Sequence, residues 1–116
     1  MALGVGAVAR AKEMIPLTAS TPITLAREPA DFRAGIDGFV ARCRDQLHQD
    51  PRSGRLFVFI NRAQTMIRIL AYDHNGYVLL TKRLSCGRFQ GWPRAGEPIS
   101  ELQAVALRRL LSGSLS

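Results

Sequence analysis

The sequence predicts an α+β domain in which a three-stranded antiparallel meander packs with an N-terminal amphipathic helix and a C-terminal helix. Three apolar runs of strand length, at 56–60, 66–72 and 77–84, follow one another with short polar separators. Asn75 and Gly76, between the second and third runs, are a strong hairpin signal. Apolar residues on either side of the meander recur at helical spacing.

Residues 1–13 show no coherent hydrophobic period and are predicted to be a disordered or non-native extension of a single domain at 14–116. The apolar stretch 2–9 is followed by Arg10 and Lys12, whereas a secretory signal has its cations first. The stretch is also too short to span a bilayer. We therefore expect a cytoplasmic protein without a membrane partner.

Between Pro22 and Pro29, residues 23–25 predict a fourth short strand. The first helix is predicted at about 30–49. Its apolar residues share one face: Phe32, Ile36, Phe39, Val40, Cys43 and Leu47.

Two glycines, Gly35 and Gly38, interrupt this predicted helix, and each costs about 1 kcal/mol relative to alanine. They indicate close approach of another backbone, either a neighbouring strand or, more sharply, a phosphate backbone. Arg33 and Asp37 lie four residues apart, which predicts a weak ion pair on a solvated face.

Both faces of the predicted meander are apolar. Ile67 and Ile69 point one way, and Met66 and Leu70 point the other. Such a sheet is covered on both faces, by two helices or by a second subunit. Arg68 interrupts the middle strand and belongs either at a rim or facing an anion.

The last helix is predicted to begin at Ser100, because Ser100 and Gln103 have the spacing of a capping box. An apolar stripe of Leu102, Val105 and Leu110 follows.

Charge is the most unusual part of the composition. Sixteen Lys and Arg oppose nine Asp and Glu, for a net charge of +7, and only Lys12 and Lys82 are lysine. An excess of arginine suits bidentate contacts with phosphate or carboxylate, although a high-GC genome also favours arginine codons. A basic surface implies an anionic partner, whether DNA, RNA, an acidic protein face or a membrane surface.

Sequence motifs for catalysis, metals and cofactors are scarce. There is no Walker-type phosphate loop, dinucleotide fingerprint or nucleophile elbow. Cys43 and Cys86, like His48 and His74, lie far apart without ligand spacing. We therefore expect no metal, no cofactor and no enzymatic activity.

The segment 82–94 has the clearest functional character. It holds four cations, a phenylalanine and the only tryptophan, directly after the predicted last strand. Cations beside exposed aromatic rings suit a polyanion with flat bases. Phe89 and Trp92 alternatively fold back to cover a sheet face, which we favour for the rings, whereas for the cations we favour anion binding.

These residues also carry a family resemblance. The matching pieces, in order, are 14–17, 32–38, 49–54, 56–59, 82–84, 87–89 and 92–93. In this order and spacing they resemble the small accessory protein of the insertion-sequence-sixty-six type of bacterial transposable element, encoded by its second reading frame and often called TnpB there. The resemblance implies a protein that assists transposition beside a separate transposase, which performs the DNA chemistry.

Three hypotheses follow. The first is a non-catalytic accessory factor that binds DNA through a basic surface. The second is a protein-interaction module that docks on the transposase, with a homodimer formed through the apolar sheet face. The third is a small nuclease, which requires carboxylates to converge on metals about 4 Å apart; the candidates are Asp31, Asp37, Asp50, Asp73, Glu97 and Glu101.

The predicted nucleic-acid-binding residues are mostly cations near the end of the meander. Arg62 is included because it lies at the tip between the first two predicted strands. The full set is Arg33, Arg62, Arg68, Lys82, Arg83, Arg88, Arg94 and Trp92, with Phe89 as an alternative stacking ring.

Overall fold

The computed structural model describes residues 20–93, 99–102 and 104–111, so the predictions for residues 1–13, Arg94, Glu97 and Gln103 lie outside the described residues. The α+β class is confirmed, with a mixed sheet and two helices. In chain order the elements are β1 (Ile23–Ala26), α1 (Ile36–Asp45), β2 (Leu56–Ile60), β3 (Met66–Asp73), β4 (Gly76–Arg83), β5 (Ile99–Leu102) and α2 (Ala104–Leu111).

The sheet has five strands in the order β4-β3-β2-β1-β5. The predicted meander is present, because β2, β3 and β4 pair antiparallel in sequence order. The predicted short strand is β1, which pairs parallel to β2, with Ile23 opposite Leu56 and Leu25 opposite Val58. Since parallel neighbours need a crossover, the β1–α1–β2 connection carries α1 across one face of the sheet.

The predicted start of the last helix at Ser100 is wrong. Residues Ile99–Leu102 form β5, which pairs antiparallel with β1, and α2 begins at Ala104. The capping-box spacing describes only local hydrogen bonds, whereas β1 offers a whole strand of backbone donors and acceptors. The non-local ladder therefore overrides the local helix preference.

The first helix is shorter than predicted. It begins at Ile36, with Gly35 in extended conformation as its N-cap, and ends at Asp45. Phe39 and Cys43 are fully buried, and burial raises the pKa of the Cys43 thiol to about 12. Ile36, predicted on the buried face, is 39% exposed.

Of the two glycines at the start of α1, only Gly38 marks a close approach. A Cβ at Gly38 would lie 2.7 Å from the Cβ of Ala34, whereas a Cβ at Gly35 would meet nothing within 4 Å. The approaching group is thus the side chain one turn earlier, and neither a neighbouring strand nor a phosphate is needed to explain Gly38.

Each face of the sheet has its own core. The face under α1, here called the α1 face, is built around Phe39, Phe57, Phe59 and Leu70. The opposite face, here called the α2 face, includes the following buried residues: Leu25, Val58, Ile67, Ile69, Phe89, Trp92 and Leu107.

The predicted alternation of β3 is therefore confirmed, with Ile67 and Ile69 on one face and Leu70 on the other. Both sheet faces are covered by the chain itself within the described residues.

Arg68 fastens the segment before α1 to the sheet. Its guanidinium Nη1 donates to the carbonyl oxygens of Phe32, at 2.8 Å, and Ala34, at 3.0 Å. Its Nε donates to Thr81 Oγ1 on β4 at 2.9 Å. The guanidinium carbon also lies 4.9 Å from the centre of the Phe32 ring and 5.4 Å from that of Phe39.

Arg68 is predicted to be a determinant of stability. Arg68→Ala removes both hydrogen bonds to the carbonyls of the segment before α1, and we expect it to lower the free energy of unfolding by about 2–3 kcal/mol. Arg68→Lys should recover less than half of this loss, because a lysine ammonium cannot reproduce the planar fork. Urea titration measures the free energy of unfolding of both variants. Arg62→Ala, at an exposed position, is the control, and its free energy of unfolding should stay within about 0.5 kcal/mol of the parent. An Arg68→Ala variant as stable as this control would contradict the assignment.

Gly38→Ala tests the contact with Ala34. Alanine normally stabilises a helix interior by about 1 kcal/mol relative to glycine, but overpacking costs about 1–3 kcal/mol. We expect a net loss of about 1 kcal/mol in unfolding free energy by urea titration. Ala34→Gly in the same chain removes the clashing Cβ and should restore stability relative to Gly38→Ala alone. A single variant that is more stable than the parent would show that the contact is unimportant.

Candidate nucleic-acid interface

One end of the sheet gathers most of the predicted cations. At this end β1 and β2 finish, β3 begins and β4 finishes. We call it the basic end and define it by Arg33, Arg62, Lys82, Arg83 and Arg88. Three carboxylates of the described residues also lie toward this end: Glu28 and Asp31 after β1, and Asp37 in the first turn of α1. The opposite end holds the hairpin after Asp73 and the loop that contains Asp50.

An open cleft of about 600 Å³ lies at the basic end. One wall is the segment that follows β1, and the other is the turn between β2 and β3. Ala30 and Asn61 join the two walls through an isolated parallel bridge, in which the Ala30 N–H donates to the Ile60 carbonyl at 2.8 Å. The lining residues are Ala30, Asp31, Phe32, Arg33, Asn61, Arg62, Ala63 and Met66.

Arg33 is held in place by Asp31. Its Nε and Nη2 atoms donate to both carboxylate oxygens of Asp31, the shortest contact being 2.7 Å. The hydrogen bonds from Arg33 hold the pKa of Asp31 well below its usual range, so the carboxylate stays ionised near neutral pH. The predicted pair with Asp37 is absent, because Arg33 lies before α1 and the one-turn spacing does not apply.

The pair leaves Arg33 able to bind an anion. The arginine side chain is 91% exposed, and its Nη1 group makes no contact with Asp31. A guanidinium carries five N–H donors, so an outer edge remains for a phosphate while Asp31 fixes the orientation of the inner edge.

Two further cations lie near the cleft, Arg83 through strand register and Arg88 through a loop contact. Arg83 is the cross-strand partner of Met66, which lines the cleft. Arg88 directly precedes Phe89, whose N–H donates to the Gln64 carbonyl in the β2–β3 turn at 2.8 Å. Arg62, Arg83 and Arg88 are all exposed. Together with Arg33, they bring cations from three parts of the sequence to one end of the sheet.

Lys82 has a structural partner as well. Its Nζ donates to the carbonyl of Leu111, the last residue of α2, at 2.5 Å. A cation at this position satisfies a carbonyl that has no partner within the helix. Lys82 therefore connects β4 to the end of α2, while remaining exposed at the basic end.

Two predicted site residues have structural roles instead of open positions. Arg68 uses its donors on the chain itself, as described above. The ring of Trp92 is only 7% exposed within the α2 face, and its Nε1 donates to the Arg27 carbonyl at 3.2 Å. Phe89 is also buried, at 2% exposure. Both rings cover the sheet, so in this conformation neither can stack on a base.

The residues that shape the cleft are not among those predicted from the sequence. Asn61 Oδ1 accepts hydrogen bonds from the N–H groups of Thr65, at 2.9 Å, and Met66, at 3.0 Å, which folds the turn that presents Arg62. Asparagine at the start of a polar separator is a known turn-forming signal, and it could have been used here. Phe32 and Met66 carry no sequence signal for a cleft, because apolar residues at these positions are expected in the core.

Of the carboxylates expected of a nuclease, those that the structure describes form no metal site. Within residues 20–93, 99–102 and 104–111, no group of three His, Cys, Asp or Glu side chains could hold a metal ion. In the same part of the chain, no helix is long and apolar enough to cross a membrane.

Comparison with known proteins gives two relatives, both uncharacterized proteins of Sinorhizobium fredii (strain NBRC 101917 / NGR234). The chain is 33% identical to y4hO over 100 residues, which cover 86% of each chain. It is 39% identical to y4jC over 67 residues, which cover 58% of this chain and 57% of the relative. No solved structure matches.

A family profile covers most of the chain. The profile is described as IS66 Orf2 like protein and matches residues 21–115, from just before β1 to beyond α2. The resembling pieces from 32–38 to 92–93 lie inside this range, whereas the piece at 14–17 precedes it. The chain therefore belongs to the family of IS66 Orf2 like proteins.

Proposed function

We propose that this protein assists transposition as a non-catalytic factor that binds DNA through its basic end. Its family comprises accessory proteins of IS66 elements and is not a known catalytic family. The observation that carries the DNA-binding proposal is the gathering of Arg33, Arg62, Arg83 and Arg88, from three separate segments, around one end of the sheet.

Electrostatics favour this surface as the DNA contact. Exposed arginines bind phosphates through paired N–H donors, and each neutralised phosphate releases counterions. Asp31 is already paired with Arg33, which reduces its repulsion of a phosphate. At the other end of the sheet, Asp50 and Asp73 offset the charge of exposed Arg44 and Arg52, whereas cations outnumber carboxylates at the basic end, which favours the basic end for a polyanion.

Sequence specificity requires groups that contact base edges, and the basic end supplies mainly phosphate contacts. Buried Trp92 and Phe89 contribute by fixing the position of Arg88, not by stacking. We therefore infer that the protein alone binds DNA with little sequence preference, and that recognition of the element's ends depends on the transposase.

Arg88→Ala tests the DNA contact. We expect it to weaken binding several-fold on most duplex sequences and to reduce the slope of affinity against salt by about one, since one phosphate contact is lost. Arg62→Ala should behave in the same way. Fluorescence anisotropy at several salt concentrations measures both quantities.

The matched control is Arg44→Ala, which makes the same change in formal charge. Arg44 is exposed near the end of α1, which lies toward the opposite end of the sheet because α1 returns the chain from β1 to the start of β2. Its loss should alter affinity far less than the loss of Arg88. Equal effects of Arg44→Ala and Arg88→Ala would show that net charge alone, and not the basic end, determines binding.

The second candidate is docking on the transposase through the same exposed cations, which an acidic protein face could also engage. A gel-shift comparison separates the two. It uses the element's terminal repeats and random duplex at two salt concentrations, with and without the cognate transposase. Retardation of both duplexes by the protein alone supports direct binding, whereas a shift only with transposase supports docking.

A further inference from the structure

The cleft at the basic end is distinct in shape from the cationic surface around it. Its volume of about 600 Å³ lies within the range of about 300–1,000 Å³ that small-molecule sites occupy. A double helix is too wide to enter a cleft of this size. A single nucleotide unit, with its base turned away from a partner strand, is of the appropriate size.

The lining of the cleft is divided between charge and apolar surface. Arg33 stands on one wall and Arg62 on the other, and both are exposed. The apolar part of the lining comprises the half-buried Phe32 and Met66 side chains and two alanines. A ligand that complements this lining carries a negative charge and a flat, weakly polar body, which describes a nucleotide.

Phe32 is well supported as a surface for a base. Its ring packs edge to face against Phe39, with centroids 5.5 Å apart, and the Arg68 guanidinium lies 4.9 Å from its centre. These contacts fix the ring, so a ligand that packs on it need not immobilise it. Pre-ordering of this kind reduces the entropy lost on binding.

Apart from the two arginines, the polar side chains of the lining are occupied by the chain itself. The Asn61 side chain bonds Thr65 and the turn backbone, and the Asp31 carboxylate bonds Arg33. Neither is free to distinguish one base edge from another. The cleft therefore has the chemistry to accept a nucleotide without regard to its base.

We propose that this cleft holds one nucleotide of an unpaired DNA strand, with its phosphate between Arg33 and Arg62 and its base against Phe32 and Met66. The protein then prefers single-stranded or frayed DNA to intact duplex. This proposal rests on the proposed function and specifies which form of DNA the basic end binds.

The test compares oligothymidine with a blunt hairpin duplex that has the same number of phosphates. Duplex DNA has the higher charge density, so electrostatics alone favours the duplex. We expect the single strand to bind about five- to tenfold more tightly, as one stacked base allows. A 2-aminopurine within the oligothymidine should change its fluorescence on binding.

A cleft-filling variant supplies the residue-level test. Ala63→Met enlarges an exposed lining residue without adding charge, so folding should be retained. We expect it to lower single-strand affinity about fivefold and to leave duplex affinity unchanged. Ser53→Met, at an exposed position on the opposite end, is the matched control and should change neither.

The outcomes separate this proposal from the proposed function. Equal binding of both DNAs, or single-strand affinity that survives Ala63→Met, overturns the nucleotide cleft and leaves DNA binding by the basic end in place. A protein that binds neither DNA at low salt overturns the proposed function, and the cleft proposal with it.

Discussion

The candidate site depends on one side chain, Arg68, and its hydrogen bonds to the segment that leads into α1. The carbonyls of Phe32 and Ala34 belong to a stretch without its own helix or strand, so these backbone groups require partners from elsewhere. From the middle of β3, the Arg68 guanidinium donates to both carbonyls and also packs over the Phe32 ring. Because this stretch is also a wall of the cleft, the same contacts that secure α1 to the sheet shape the proposed binding surface.

The parallel pairing of β1 and β2 explains why that surface lies where it does. Both strands end at the same edge of the sheet, and the chain leaves each in a different direction. A crevice forms between the two departing segments, as it does at the carboxyl ends of parallel strands in larger α/β folds. Here the crevice is lined by Arg33 on one side and Arg62 on the other.

Within the 82–93 segment, the aromatic residues are buried and the cations are exposed. Phe89 and Trp92 fill the α2 face, and the hydrogen bond from the Phe89 N–H to Gln64 holds the segment against the β2–β3 turn. The cations that precede these rings in the sequence are left outside, where Arg83 and Arg88 extend the basic end. The aromatic residues thus position the charged ones, so a buried tryptophan is compatible with the binding role that we propose for its neighbours.

Periodicity alone was sufficient for the α+β class, for the pairing of β2, β3 and β4, and for the two faces of β3, since these depend on local alternation and a short turn. The charge of the cations at 82–88 was equally plain from the sequence. Only the tertiary structure decided that Ile99–Leu102 is a strand, that α1 starts at Ile36 and that Arg68 serves the fold. The position of β1 between β2 and β5, the pairing of Asp31 with Arg33 and the cleft beside Arg62 also depend on it. The reason is that partners distant in the chain, such as β1 for β5 and β3 for Phe32, supply the hydrogen bonds that local patterns cannot reveal.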